Sequence, residues 1–148
     1  MAKWHPGFGI EYWPGSRFLA VVDVRTSSDG IHYLLHDRTL EGRTDGTGPI
    51  EATPSRVIEK LSAGVKFGRP YASLRLPPLD QFFDSVGNRV DLYFDAKAIA
   101  PEALTQAVAR HHREERTVVY QTAEYLLRLK AINPLIRALP PSRSPDEL

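Results

Sequence analysis

Asp23, His36, Asp95 and Lys97 are the residues of this chain whose types and spacing could do chemistry. Asp23 ends an apolar run, and a carboxylate in a buried strand is costly without a partner or a metal. Two carboxylates from different strands can hold a hard divalent cation through oxygen ligands. A histidine on the same floor can take or give a proton near neutral pH. Lys97 stands two residues beyond Asp95, so on a strand it shares that face and can neutralise a phosphate oxygen. The set suits phosphodiester cleavage: a metal polarises the phosphorus, a histidine protonates the leaving alkoxide, a lysine steadies the charge. Each residue also has a plainer reading. Asp23 could pair with Arg25 or Arg38, Lys97 could be a solvated residue at a helix entry, and Asp37 could cap its loop.

The first elements to position these groups lie in 18–37, FLAVVDVRTSSDGIHYLLHD. Residues 18–24 are β-branched and nearly all apolar, which predicts a strand buried on both faces. Thr26 to Gly30 is a turn, and 31–35 is a second strand. So short a link requires antiparallel pairing. With the turn centred near Ser28, Val21 faces His36 and Asp23 faces Leu34. Asp23 and His36 then lie diagonally on one face, and a slip of one residue separates them.

The remaining elements read in order. Thr53 and Pro54 predict a helix start, as N-cap and first helical residue, with the helix running to about Ala63. A long loop covers 64–78. Leu79, Phe82, Phe83 and Val86 mark the apolar side of a short helix. Residues 90–96 form a strand, 100–112 a helix opened by Pro101, and 117–121 a strand. Thr122 caps a helix to about Ile132, and 135–139 form the last strand. This alternation is βαβ grammar and predicts a parallel sheet with right-handed crossovers. Ligand chemistry in such sheets gathers at C-terminal strand ends, where Asp95, Lys97 and Gln121 lie.

Composition narrows the alternatives. The chain has 148 residues, 42% hydrophobic and 25% charged, enough for a real core. A net charge of +1 gives no sign of nucleic-acid binding or of an anionic membrane surface. The absence of cysteine excludes disulfides and thiolate chemistry. The longest apolar run, 18–22, is far short of the ~20 residues that span a bilayer. The N-terminus has no apolar signal core, so cytoplasm is the expected location. Residues 1–17 are rich in Gly, Pro and aromatics and read as an ordered loop or edge segment, with Trp4, Tyr12 and Trp13 in a core or a sugar pocket. His111 and His112 read as a solvated helix end. Gly42, Gly46 and Gly48 are a weak phosphate-loop signal.

VDVRTSSDGIHYLLHDRTL followed by TDGTGPI resembles the signature of the glycerophosphodiester phosphodiesterases. AGVKFG with LPPLDQFF resembles that family's next segment, and VDLYFDAK resembles its next metal strand. The likeness continues to RLKAINPLIRALPP and covers 16–140. It implies a partial TIM-barrel-like α/β fold over 18–140, with about five strands, mostly parallel after an initial hairpin, and a polar tail at 141–148. It implies metal-dependent hydrolysis of a glycerophosphodiester to glycerol 3-phosphate and an alcohol. Asp23 and Asp95 match metal-ligand positions for calcium or magnesium, His36 matches a catalytic histidine, and Lys97 matches a phosphate-facing lysine. Val21 stands where the family has a ligand Glu, and the opening His-Arg-Gly strand has no match. Those departures keep a second reading beside the first: a non-catalytic member that binds a metal or phosphodiester, or serves as a structural interaction module. The chain also falls short of the ~250 residues of a full barrel. Open sheet edges then favour a homo-oligomer.

Overall fold

The computed structural model describes residues 9–11 and 18–141, with side chains from Leu19 onward. The aromatic residues at 4, 12 and 13, the His5-Pro6-Gly7 segment and all but the first residue of the tail at 141–148 lie outside the described residues. Two compact units divide the chain, and strands β2 (Phe18–Thr26) and β4 (Val90–Ala98) contribute to both.

The first unit takes in the described residues up to Val22, then Val86–Ala96 and Ala100 onward. Its strands are β1 (Gly9–Glu11), the first half of β2, most of β4, β5 (Thr117–Tyr120) and β6 (Arg137–Leu139). They are ordered β1-β2-β4-β5-β6. β1 pairs antiparallel with β2, Gly9 opposite Val21. β4, β5 and β6 are parallel, with Leu92 opposite Thr117 and Val118 opposite Arg137. The βαβ reading of 90–139 holds.

Helix α3 (Pro101–Arg110) starts at Pro101, whose missing N–H costs nothing in the first turn. Leu104, Ala107 and Val108 line its buried side. Helix α4 (Ala123–Ile132) is capped by Thr122, which accepts from Tyr125 N as its sequence position implies. β6 begins at Arg137 rather than 135, because Asn133 Oδ1 accepts from Leu135 N at 3.0 Å and holds that stretch in a turn. Along β4, Leu92, Phe94 and Ala96 are buried while Asp91, Tyr93 and Asp95 face the other way, half-buried.

The second unit comprises Asp23–Ser85 and Lys97–Ile99. The end of β2 pairs antiparallel with β3 (His32–Leu34), Val24 opposite Leu34 and Thr26 opposite His32. This register is one residue from the expected one. Ser27 N donates to Ile31 O and Gly30 N to Ser27 O, with Gly30 at φ 89°. The result is a three-residue loop with its centre at Asp29, where only glycine fits the left-handed corner cheaply. Leu35, not Leu34, therefore lies opposite Asp23, and its N–H donates to Asp23 O at 3.1 Å.

The expected double-faced burial of β2 also fails. Ala20, Val22 and Val24 are buried, whereas Val21 is 39% exposed and Asp23 and Arg25 are half-buried. One side of this strand carries polar groups and alternates accordingly.

After the hairpin the chain makes a 3-10 turn at Ile50–Ala52 and a one-turn helix α1 (Ser55–Ile58). The expected helix to Ala63 is cut short. Thr53 does not cap it; its hydroxyl donates back to Pro49 O at 2.9 Å. Asp29 takes the capping role from the hairpin, accepting from Ser55 N at 2.8 Å and Ser55 Oγ at 2.6 Å. Two more 3-10 turns, Val65–Phe67 and Arg69–Tyr71, lead to α2 (Leu79–Val86), which forms where its apolar spacing predicts. Tyr33, Leu35, Leu40, Ile50, Ile58 and Leu76 form the core of this unit. Tyr33 is fully buried, and desolvation pushes its hydroxyl up to about 12.

Candidate active site

Asp23, Lys97 and His36 all belong to the second unit, whereas Asp95 belongs to the first. Asp23 leaves β2 on its half-open side. Lys97 leaves the end of β4, its ammonium 3.7 Å from Asp23 Oδ1. Lys97 is thus one ion partner of Asp23. Their side chains are 30% and 23% exposed, so the pair is partly shielded from water. The ends of the two strands are tied where Thr26 Oγ1 donates to Ala98 O at 2.6 Å. The same oxygen lies 2.8 Å from His32 Nδ1, which must then be the donor.

His36 lies just past β3 in a bend. The observed register removes the strand argument that placed it on the face of Asp23. Its position is set instead by Arg25, two residues beyond Asp23 on β2. Arg25 Nε donates to His36 O at 3.0 Å, and Nη1 meets Glu51 Oε1 at 2.8 Å. The His36 ring is well exposed, and its Nδ1 is 2.9 Å from Asp37 Oδ1. This hydrogen bond is the main reason the Asp37 carboxyl titrates below its usual range, with the Arg43 guanidinium 3.8 Å from its other oxygen. An ionised carboxylate only accepts. Nδ1 of His36 therefore carries a proton, and Nε2 is the nitrogen that can exchange one with a substrate. Gly42 makes room for this pair: a Cβ there would lie 2.4 Å from Asp37 Oδ2.

Asp95 stands opposite Tyr120 in the sheet register, on the face where Tyr93 and Tyr120 stack with centroids 6.2 Å apart. Gln121 has a structural role, since its amide donates to Ala96 O and its carbonyl accepts from Thr122 N. Sequence reasoning weighed Arg25 only as a partner of Asp23 and Asp37 only as a loop cap, and it passed over Glu51. Two signals pointed to the roles of Arg25 and Asp37, the two-residue spacing of Asp23 and Arg25 and the adjacency of Asp37 to His36.

A sequence profile of the glycerophosphoryl diester phosphodiesterase family matches residues 21–134, and the chain belongs to that family. It is 30% identical over 114 residues to the glycerophosphodiester phosphodiesterase of Caldanaerobacter subterraneus subsp. tengcongensis, covering 72% of this chain and 47% of that one. A glycerophosphodiester phosphodiesterase structure from Agrobacterium tumefaciens superposes with a TM-score of 0.74 at 30% identity, covering 81% of this chain and 52% of that one. A phosphodiesterase of Oleispira antarctica, solved with the product sn-glycerol-3-phosphate, gives 0.73 at 25% identity over the same shares. The likeness supports the partial TIM-barrel-like α/β class read from sequence. The chain spans about half the length of these relatives.

The family is generally dependent on a divalent cation. The donor set among the described residues does not fit one. Among the described residues no three His, Asp or Glu side chains come together as ligands. Asp23 faces an ammonium, and Val21 offers no oxygen. Glu51 Oε2 is a buried oxygen without a hydrogen-bond partner among the described residues, and one oxygen falls far short of the roughly six that calcium or magnesium takes.

Proposed function

We propose that this chain is a glycerophosphodiester phosphodiesterase-type protein, with His36 as its proton-transfer group and Lys97 as its phosphate contact. The observation that carries this reading is the His36–Asp37 pair at 2.9 Å. In the reaction, water adds to phosphorus, the ester P–O bond breaks, and glycerol 3-phosphate and an alcohol leave. His36 in its protonated form gives the Nε2 proton to the departing alkoxide. Asp37 steadies the imidazolium through Nδ1 and holds the ring in one orientation. The Lys97 ammonium draws in a phosphate oxygen, at the cost of loosening its pair with Asp23.

Release of glycerol 3-phosphate from glycerophosphocholine tests the reading. His36→Ala is expected to lower the rate by roughly 10²–10⁴, and Asp37→Ala by less, with KM nearly unchanged in both. Equal rates in wild type and His36→Ala would remove His36 from the chemistry.

The unfit donor set favours a second reading, in which the chain binds the phosphodiester without turning it over. Val21→Glu separates the two. Val21 is 39% exposed, so the change is tolerated sterically, and it restores a carboxylate on the strand of Asp23. Stabilisation by calcium in a thermal melt, weak or absent in wild type, should appear in the variant. If turnover of glycerophosphocholine appears with it, the natural chain is the binder of the second reading.

A further inference from the structure

We propose that the loop 64–75 is a docking surface for an anionic lipid bilayer. The loop is an ordered excursion closed at its neck, where Ala63 N donates to Leu74 O at 2.9 Å. Its interior is filled by the two 3-10 turns Val65–Phe67 and Arg69–Tyr71. Gly64 seals the neck: a Cβ there would lie 1.8 Å from Tyr71 O, so only glycine lets the two backbones meet. Compact loops closed in this way are frequently functional.

This loop turns its apolar side chains outward. Phe67 is 65% exposed, Leu74 53%, Tyr71 51% and Val65 42%. The same unit buries Tyr33, Leu35, Leu40, Ile50, Ile58 and Leu76. Four large apolar groups each leave about two fifths to two thirds of their surface in water on ten consecutive residues, which marks the patch as a contact surface.

Charge selects the occupant. Lys66, Arg69 and Arg75 interleave with the apolar residues, and no acidic residue occurs between Glu59 and Asp80. The whole-chain charge of +1 averages this cluster away. Lys66 donates to Glu41 O and also interacts with the Glu41 carboxylate, whereas Arg75 donates to the neutral carbonyls Ala72 O and Leu74 O. Aromatic and aliphatic groups that enter the headgroup layer, with cations level with anionic phosphates, are the chemistry of an interfacial lipid contact.

Flotation of the full chain with lipid vesicles tests the proposal. Vesicles of phosphatidylcholine containing about one third phosphatidylglycerol should carry the protein up the gradient, and pure phosphatidylcholine should not. Phe67→Ser and Arg69→Glu should each weaken binding by about tenfold, with far-UV circular dichroism and melting temperature unchanged. Salt at about 0.5 M should release the protein. His36→Ala should float like wild type, which keeps this result separate from any failure of catalysis. Absence of flotation on the anionic vesicles, or flotation of both variants as complete as that of wild type, overturns the proposal. So does a protein that ignores vesicles and sediments as a dimer lost in Phe67→Ser, because the loop then serves a second copy of the chain.

Discussion

The two units of this chain are each stabilised by different means. In the first, backbone ladders and two ten-residue helices dominate, and Leu92, Phe94, Leu104 and Leu129 are buried. In the second, regular structure is scarce between the hairpin and α2, and polar side chains satisfy the backbone in its place. Thr44 Oγ1 donates to Leu40 O and accepts from Gly46 N. Asp45 accepts from Ser62 N, and Glu41 accepts from Gly48 N. Asp29 joins the hairpin turn to α1. Each unit is therefore vulnerable in its own way: the first to holes in its core, the second to loss of single charges and hydroxyls.

If that contrast is right, the largest single effect belongs to the first unit. Phe94 is fully buried, so Phe94→Ala should lose about 3–5 kcal/mol in urea unfolding. Arg25→Ala comes next. It strands Glu51 and frees the His36 carbonyl, and should cost about 1–3 kcal/mol, with a loss of activity larger than that of stability. A variant that lost activity only in step with unfolding would count against Arg25 as the group that positions His36.

The smallest change is the most diagnostic of the second unit. Hydrogen bonds from the Ser55 hydroxyl, the Ser27 hydroxyl and the Ser55 N–H hold Asp29 at about 2, below its ordinary 3.8. A depressed carboxyl contributes stability in full above its unfolded value and loses it as the pH falls through the folded value. Asp29→Ala should therefore melt a few degrees below wild type at neutral pH, and the gap should close between about pH 4 and pH 2. A gap that persists at pH 2 would show that side-chain packing, not the carboxylate, makes the difference.

Much of the first unit was legible in the sequence because its signals are local. Pro101 and Thr122 mark helix starts, and the apolar spacing of α3 reports its buried side. The second unit resisted, α2 apart, because its decisive partners are distant. Asp29 caps a residue 26 positions away, and Thr53, an ideal N-cap on paper, bonds backward instead. The hairpin register turned on whether the loop held two residues or three, a choice fixed by Gly30. Asp23, His36 and Lys97 were found as residue types. The Asp23–Lys97 pair was not, because it rests on the return of the chain at Lys97.

That return sets an order in time. The second unit spans Asp23–Ser85 and is completed only by Lys97–Ile99. During synthesis most of it leaves the ribosome before the three residues that supply the Lys97 ammonium and the Ala98 carbonyl. Until they emerge, neither the Asp23–Lys97 pair nor the bond from the Thr26 hydroxyl to Ala98 can form. If these contacts also close late when the full chain folds, changes at Lys97 should show in the unfolding rate more than in the folding rate. The residue proposed for phosphate contact would then also bear on how long the finished protein stays folded.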